Sequence, residues 1–561
     1  MSSYKSNLNP MFRSKFSEDI FNHKYRHEGA ETWADLAQTL VDDVCVPMMS
    51  QDERDQLVQY IRDMWFIPGG RYLYYAGRPN KFFNNCYLLR AEEDSREDWA
   101  DLSWKSESCL MTGGGIGVDY SVYRPAGSPI HKTGGFASGP IPKMNMINEI
   151  GRRVMQGGSR RSAIYASLNW QHGDIEDFLK AKDWGAMPVG TTGKTLWDIK
   201  QEDFNFPAPL DMTNISVNYD TAWLLNYYET GDVGSVFVKN VEQAMKTAEP
   251  GFSFNFFDKE KETLRNACTE VTSADDSDVC NLGSINMGRI PDVHAMASVV
   301  ELATKFLICG TLKAKLPYEK VELTRAKNRR LGLGLMGMHE WLIQRGSKYE
   351  VTPELHQWLS VYKGVSDKTS RDTADRYSIS RPVANRAIAP TGSIGILAGT
   401  STGIEPIFAV AYKRRYLKGN TRWVYQYVVD SAAQELIDRY GASPDTVESA
   451  LDLAEDYERR IAFQADVQDY VDMSISSTIN LPAWGSKLNN EDTVADFAFT
   501  LAKYAHRLRG FTCYPDGSRG GQPLTSVPYQ EAVDKLGEEF DEAIETHDIC
   551  DITGSGGTCG V

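Results

Sequence analysis

Apolar residues recur at helical spacing through the first part of the chain. Leu36, Leu40 and Val44 fall on one helical face, as do Leu57, Ile61 and Trp65, so residues 1–65 read as mostly helical. The stretch Phe66-Ile67-Pro68-Gly69-Gly70-Arg71 carries the turn residues that end this region. Beyond it, short apolar runs alternate with amphipathic stretches. Residues 82–90 (FFNNCYLLR), 163–169, 214–218 and 510–514 read as strands. Residues 99–110, 174–181, about 221–248 and 497–510 read as helices. Residues 183–211 are rich in Gly, Pro and Asp and read as an irregular insertion. Near the end, Val533, Leu536, Phe540 and Ile544 line one side of an acidic helix.

Length and composition narrow the class. A chain of 561 residues holds roughly two to four domains, or one large enzyme domain with a helical attachment. We divide it into a helical region (1–65), a catalytic domain (66–528) and an acidic, redox-active tail (529–561). The 42% hydrophobic and 24% charged content is that of a globular protein. No apolar run approaches the ~18 residues of a membrane span, and the N-terminus lacks a signal-peptide core. The expectation is a cytoplasmic protein without a membrane partner. A net charge of −16 argues against nucleic acid as a partner. Nine scattered cysteines in such a chain suggest working thiols, not a disulfide scaffold. No zinc spacing is present, and no metal site is expected.

The candidate chemistry centres on Asn266-Ala267-Cys268-Thr269-Glu270. In an extended segment Asn266, Cys268 and Glu270 share a face. They align an amide that can hold a hydroxyl, a sulfur that can react and a carboxylate that can take a proton. Cys86 lies on an apparent strand and Cys280 opens another strand or turn, and two such thiols form a disulfide only where the fold brings them together. Three polar, Gly-rich stretches suit close approach to an anion or sugar: Thr112 to Gly117, Gln156 to Ser162, and residues 388–406 (IAPTGSIGILAGTSTGIEP). Residues 332–337 spell G-x-G-x-x-G, but no apolar strand precedes them, so close helix packing is the expectation there. Cys550 and Cys559, joined by a Gly/Ser-rich run, read as a mobile dithiol.

Taken together, FNNC, TGGGIG, QGGSRRSA, NACTE, CNLGSIN, APTGSIG with STGIEP, and the terminal dithiol resemble the ribonucleotide reductases, in that family's order. The likeness runs from about Phe66 to Arg519 and reaches into the tail. It implies an α/β fold: a ten-stranded α/β barrel of two five-stranded halves, threaded by a finger loop carrying Cys268, with a helical region before it. It implies that Cys268 becomes the thiyl radical that removes the 3′-hydrogen of a ribonucleotide. Glu270 would be the base on the 3′-hydroxyl, and Asn266 a hydrogen-bond partner of the substrate hydroxyls. Cys86 and Cys280 would supply two electrons and become a disulfide. Cys550 and Cys559 would re-reduce it by thiol exchange, themselves served by a thioredoxin- or glutaredoxin-like reductant. Gly70, Asn85 and Gly115 match positions around the ribose, and Thr391, Gly392, Ser393 and Ile394 match the substrate-phosphate site. Asp94 and Arg124 match positions for a deoxynucleoside triphosphate effector. Ser159, Arg160 and Arg161 match the loop that links effector to substrate base. Monomer and homodimer both remain open, as do diphosphate and triphosphate substrates.

The family's classes differ in radical source. The class with a separate metal subunit uses a Tyr-Tyr pair where this chain has Thr512-Cys513-Tyr514-Pro515, and the glycyl-radical tail is also absent. The likeness of GFTCYPDGSR therefore implies adenosylcobalamin as cofactor. Only about 65 residues precede the PGGR turn, so no switching of overall activity by dATP through an N-terminal cone is expected. The C-x8-C tail spacing is wider than is usual in the family. Competing readings are a large subunit served by a separate radical-generating partner, a nicotinamide-dependent oxidoreductase using residues 332–337, and a non-catalytic nucleotide binder.

Overall fold

The computed structural model describes residues 11–154, 162–203, 206–418, 422–518 and 524–542. Its main sheet holds β1 (Phe66–Pro68), β2 (Cys86–Arg90), β3 (Gly115–Asp119), β4 (Ile164–Asn169), β5 (Thr213–Tyr219), β6 (Gly251–Phe254), β7 (Asp278–Asn286), β8 (Leu331–Met336), β9 (Thr478–Leu481) and β10 (Gly510–Pro515). Strands β2 to β6 pair in parallel in chain order, which needs a crossover between each pair. Helices such as Arg96–Met111 and Pro140–Arg153 supply these crossovers.

A second parallel half faces the first. β7 pairs with β8, residues 384–387 run beside β8, Ile388 bridges Ile475, and the chain there leads into β9 against β10. The halves meet antiparallel at two seams: Cys86–Leu88 against Asp278–Cys280, and Phe252-Ser253 against Gly510-Phe511. The ring of extended segments is thus closed, as the ten-stranded barrel requires. β1 adds antiparallel to the remainder of β7.

Two apolar cores back the halves. One lies behind β2 to β6. The other joins β7 and β8 to the N-terminal helices Trp33–Cys45 and Gln51–Arg62 and to the helix Val293–Lys313. Capping boxes at Thr32/Asp35 and Ser50/Glu53 fix the starts of the two N-terminal helices. The Val293–Lys313 helix is long and apolar enough to cross a membrane, but it is mostly buried against β7 and the helix Pro353–Tyr377.

Two expectations are corrected here. Residues 332–337 are not a helix-packing turn; 332–336 form most of β8, every residue of it buried, and Gly337 caps the helix Met338–Gln344 that follows. The acidic helix is short. Tyr529–Asp534 is helical, Gly537 takes a φ of 80°, and Glu539–Glu542 becomes a strand on the edge of Arg422–Val429. The helix ends at the C-cap Lys535, Gly537 turns the chain in the left-handed region, and the edge of the Ala411–Lys418/Arg422–Val429 hairpin pairs with the backbone that follows.

A hairpin enters the barrel between β6 and β7. Leu264–Arg265 pairs with Thr272–Ser273, and residues 266–271 form its tip. Gly117 on β3 admits it: a Cβ there would stand 1.6 Å from the Arg265 carbonyl oxygen. Both partners in that clash are backbone or Cβ, so no rotamer relieves it. Gly117→Ala should lower stability by about 1–3 kcal/mol, read by urea unfolding, with an unchanged midpoint being the result against this packing.

Candidate active site

The finger tip is a turn, which corrects the extended geometry read from the sequence. Thr269 donates its N–H to the Asn266 carbonyl at 3.0 Å and takes a φ of 71°. The Asn266 side chain then bridges the turn: its Oδ1 accepts from the Val271 N–H at 2.9 Å, while its Nδ2 donates to the Cys86 sulfur at 3.0 Å. The tip is tied to both halves of the barrel. Asn214 donates to the Ala267 carbonyl at 3.2 Å, and the Ser474 N–H to the Glu270 carbonyl at 2.8 Å. At the finger base, Arg265 donates to Asn255 at 2.7 Å and to the Arg509 carbonyl at 3.1 Å. Burial, and then the neighbouring Arg509 charge, pull the Arg265 guanidinium down to about 9.

Cys86 and Cys280 are directly opposite each other in the β2/β7 seam. Opposed residues of an antiparallel pair have Cα atoms about 4.5–5.5 Å apart, within the span a disulfide accepts. Both are buried thiols, and none of the described cysteines is in a disulfide. Burial raises the Cys86 thiol well above its usual range; the Glu270 carboxylate, then Cys280 and Cys268, push the same way, and the Asn266 hydrogen bond opposes them. Cys280 is also raised, by burial and then Asp278, with Arg330 opposing. Both are therefore held as S–H, the form that delivers hydrogen together with electrons.

Glu270 is fully buried, and neither carboxylate oxygen has a well-formed hydrogen-bond partner among the described residues. Burial pushes its carboxyl up to about 7, against the pull of the nearby Asn266 amide. Asn85 is also buried, with both amide atoms unpaired, and lies against Gly69. Unpaired buried polar groups are rare and costly. Here they sit beside three thiols.

The model of the family "Ribonucleotide reductase, barrel domain" matches residues 84–188, 221–357 and 381–514. The chain belongs to the ribonucleotide reductase family. It is 27% identical over 551 residues to the vitamin B12-dependent ribonucleoside-diphosphate reductase of Mycobacterium tuberculosis (strain CDC 1551 / Oshkosh), covering 89% of this chain and 77% of that one. A protein of the same name from Thermoplasma acidophilum is 28% identical over 517 residues, covering 82% of this chain and 65% of that one. The solved class Id ribonucleotide reductase alpha subunit of Actinobacillus ureae shares the fold, with a TM-score of 0.71 at 17% identity over 91% of this chain and 99% of that one.

The other reductase-derived positions are placed as follows. Gly70 opens the short helix Gly70–Tyr75, and Gly115 opens β3, where a Cβ would stand 3.4 Å from that of Ala267 on the finger. Thr391 takes a φ of 54° before the helix Gly392–Ala398, and its hydroxyl accepts from the Gly403 N–H at 2.8 Å. Asp94 and Arg124 form an ion pair. Ser159, Arg160, Arg161, Cys550 and Cys559 lie outside the described residues. Sequence reasoning missed Arg265, and it singled out the stretches holding Gly117 and Gly332 without this role for them; a Cβ at Gly332 would stand 3.1 Å from the Cys280 sulfur. The Gly-x-Gly spacing at 115/117 and 332/334 was the available signal, since alternate glycines bare one face of a strand.

The Glu270 shift sets a pH dependence. Between pH 4.5 and about 7 the folded chain keeps a proton there that the unfolded chain has lost. Stability should fall as pH rises through that window, by on the order of 3 kcal/mol at most. Glu270→Gln should flatten this part of the profile, measured by denaturant unfolding at pH 5 and pH 8. A variant profile parallel to wild type would contradict it.

Proposed function

We propose that this chain reduces ribonucleoside diphosphates or triphosphates to deoxyribonucleotides, with Cys268 as the thiyl radical and adenosylcobalamin as the radical source. The observation that carries the reading is the register of Cys86 against Cys280 beneath a finger tip that brings Cys268, Asn266 and Glu270 to the same place. The names of the bacterial and archaeal relatives favour cobalamin and a diphosphate substrate.

The residues present fit such a radical source. Gly510 lies close beside the finger tip: a Cβ there would stand 3.0 Å from the Ser474 hydroxyl, which is buried and has no partner among the described residues, and 4.0 Å from Thr269 Oγ1. Thr512 and Tyr514 follow on the same face of β10. These residues would hold the cofactor against the tip. Adenosylcobalamin, when bound there, would supply the radical chemistry that converts the Cys268 thiol to a thiyl.

The chain's own residues do the rest. The Cys268 sulfur removes the 3′-hydrogen while Asn266 holds the hydroxyls and the Glu270 carboxylate takes the 3′-hydroxyl proton. The 2′-hydroxyl leaves as water. The Cys86/Cys280 pair loses two protons and two electrons: one proton leaves with the 2′-hydroxyl in the water, the other hydrogen goes to C2′, an S–S bond forms between the two sulfurs, and Glu270 returns the 3′-hydroxyl proton. The 3′-hydrogen then returns from Cys268. Cys550 and Cys559 reopen the disulfide by exchange and are reduced in turn by a thioredoxin- or glutaredoxin-like protein. The substrate phosphates lie at Thr391, Gly392, Ser393 and Ile394, and the ribose near Gly70, Asn85 and Gly115. A deoxynucleoside triphosphate near Asp94 and Arg124 selects the base through Ser159, Arg160 and Arg161.

The test is turnover of the purified chain with cytidine di- and triphosphate, adenosylcobalamin, dithiothreitol and a deoxynucleotide effector mix. Wild type should form deoxycytidine product and Cys268→Ser none. A folded wild type that is inactive until a separate radical-generating subunit is added would overturn the cobalamin assignment.

A further inference from the structure

The segment 388–406 has no Lys or Arg of its own, yet a nucleotide's phosphates carry several negative charges. The fold brings a cation to it from 369 positions away: Lys24 Nζ donates to the Ser393 hydroxyl at 3.1 Å. Ser393 is buried and Lys24 half-buried. Nothing in the local sequence at Lys24 announces this meeting.

The approach is built, not incidental. Lys24 lies in the π-helical turn Phe21–Tyr25 that continues the helix Lys15–Ile20. Ile20, Phe21 and Tyr25 are buried in the core shared with the barrel's second half, so the backbone on both sides of Lys24 is anchored. Ser17 donates its hydroxyl to the Ile396 carbonyl at 2.7 Å, and Arg13 donates to the Gly399 carbonyl at 3.0 Å. The N-terminal segment therefore runs along the whole of Gly392–Ala398. At the Gly399 end, Arg13 pairs with the buried Glu340 at 2.5 Å. Lys24 alone of these three side chains reaches the Thr391–Ile394 end.

We infer that Lys24 is a substrate-phosphate ligand, supplied by the N-terminal helical region to the phosphate segment of the barrel; this rests on the reading of Thr391 to Ile394 as the phosphate site. An ammonium has three N–H donors, so the Ser393 bond does not by itself exhaust Lys24. The contact is made equally in ground state and transition state, because the phosphates do not react. Its loss therefore weakens binding and leaves the chemical step alone.

The experiment is steady-state turnover of the full chain with cytidine diphosphate, adenosylcobalamin, dithiothreitol and effector. It is paired with equilibrium dialysis of cytidine diphosphate and of cytidine against the Cys268→Ser chain, with and without Lys24→Ala. Lys24→Ala should raise KM by about tenfold or more, the worth of a charge-assisted hydrogen bond, with kcat within about twofold. Lys24→Arg should restore most of it. In dialysis the diphosphate should lose affinity by a similar factor while cytidine does not. Wild-type turnover with an unchanged KM in Lys24→Ala would overturn the Lys24 role and leave the reductase reading standing. So would a fall in kcat alone, or equal losses for cytidine and its diphosphate. A wild type that neither turns over nor binds the diphosphate would bring down both.

Discussion

The passage of a backbone hairpin through the inside of a closed barrel is the constraint on which the site depends. A barrel interior is ordinarily filled by side chains. Here Gly117 gives up its side chain so that the Arg265 carbonyl can pass. The hairpin brings polar backbone into a dry space, and each half of the barrel answers with donors: Asn214 from one, the Ser474 N–H from the other. The buried Arg265 anchors the base to Asn255 and Arg509. The tip is thereby held by parts of the chain more than two hundred residues apart.

Within that frame the chemistry follows from burial. A carboxylate with no well-formed partner among the described residues and two thiols with raised pKa values are poor choices for stability, and each would be neutralised or paired in an ordinary core. At this site the same environment is useful. Thiols kept protonated can give hydrogen with their electrons, and a carboxyl poised near 7 can take or release a proton under ordinary conditions. The antiparallel seam between β2 and β7, where the halves of the barrel meet, places Cys86 against Cys280.

The N-terminal helices are not a detachable cap. Trp33, Leu36, Leu40, Val44, Leu57 and Ile61 share one core with Leu333 and Leu335 of β8. The segment before them lies along Gly392–Ala398. Residues at one end of the chain are thus structurally continuous with a segment some 370 positions later, and this explains why the function of that region could not be read locally.

Much was legible in the residues themselves. The order of NACTE, the two flanking cysteine motifs and the Gly/Ser/Thr-rich segments sufficed for the barrel and the family, because each motif is a run of neighbours whose chemistry is local. Helical periodicity placed Leu36, Leu40 and Val44 correctly on one buried face. The geometry at 266–270 was not legible, since period-two alternation holds only in an extended strand and Thr269 turns the chain. Nor was the role of Gly332 and Gly334, whose reason is a neighbour's atoms and not a backbone angle. The meeting of Lys24 with Ser393, the opposition of Cys86 and Cys280, and the raised carboxyl of Glu270 all depend on distances through space and on exclusion of water. Sequence determined which groups are present; only the closed barrel decided which of them share a dry, fixed site, because burial and register are properties of the packed chain.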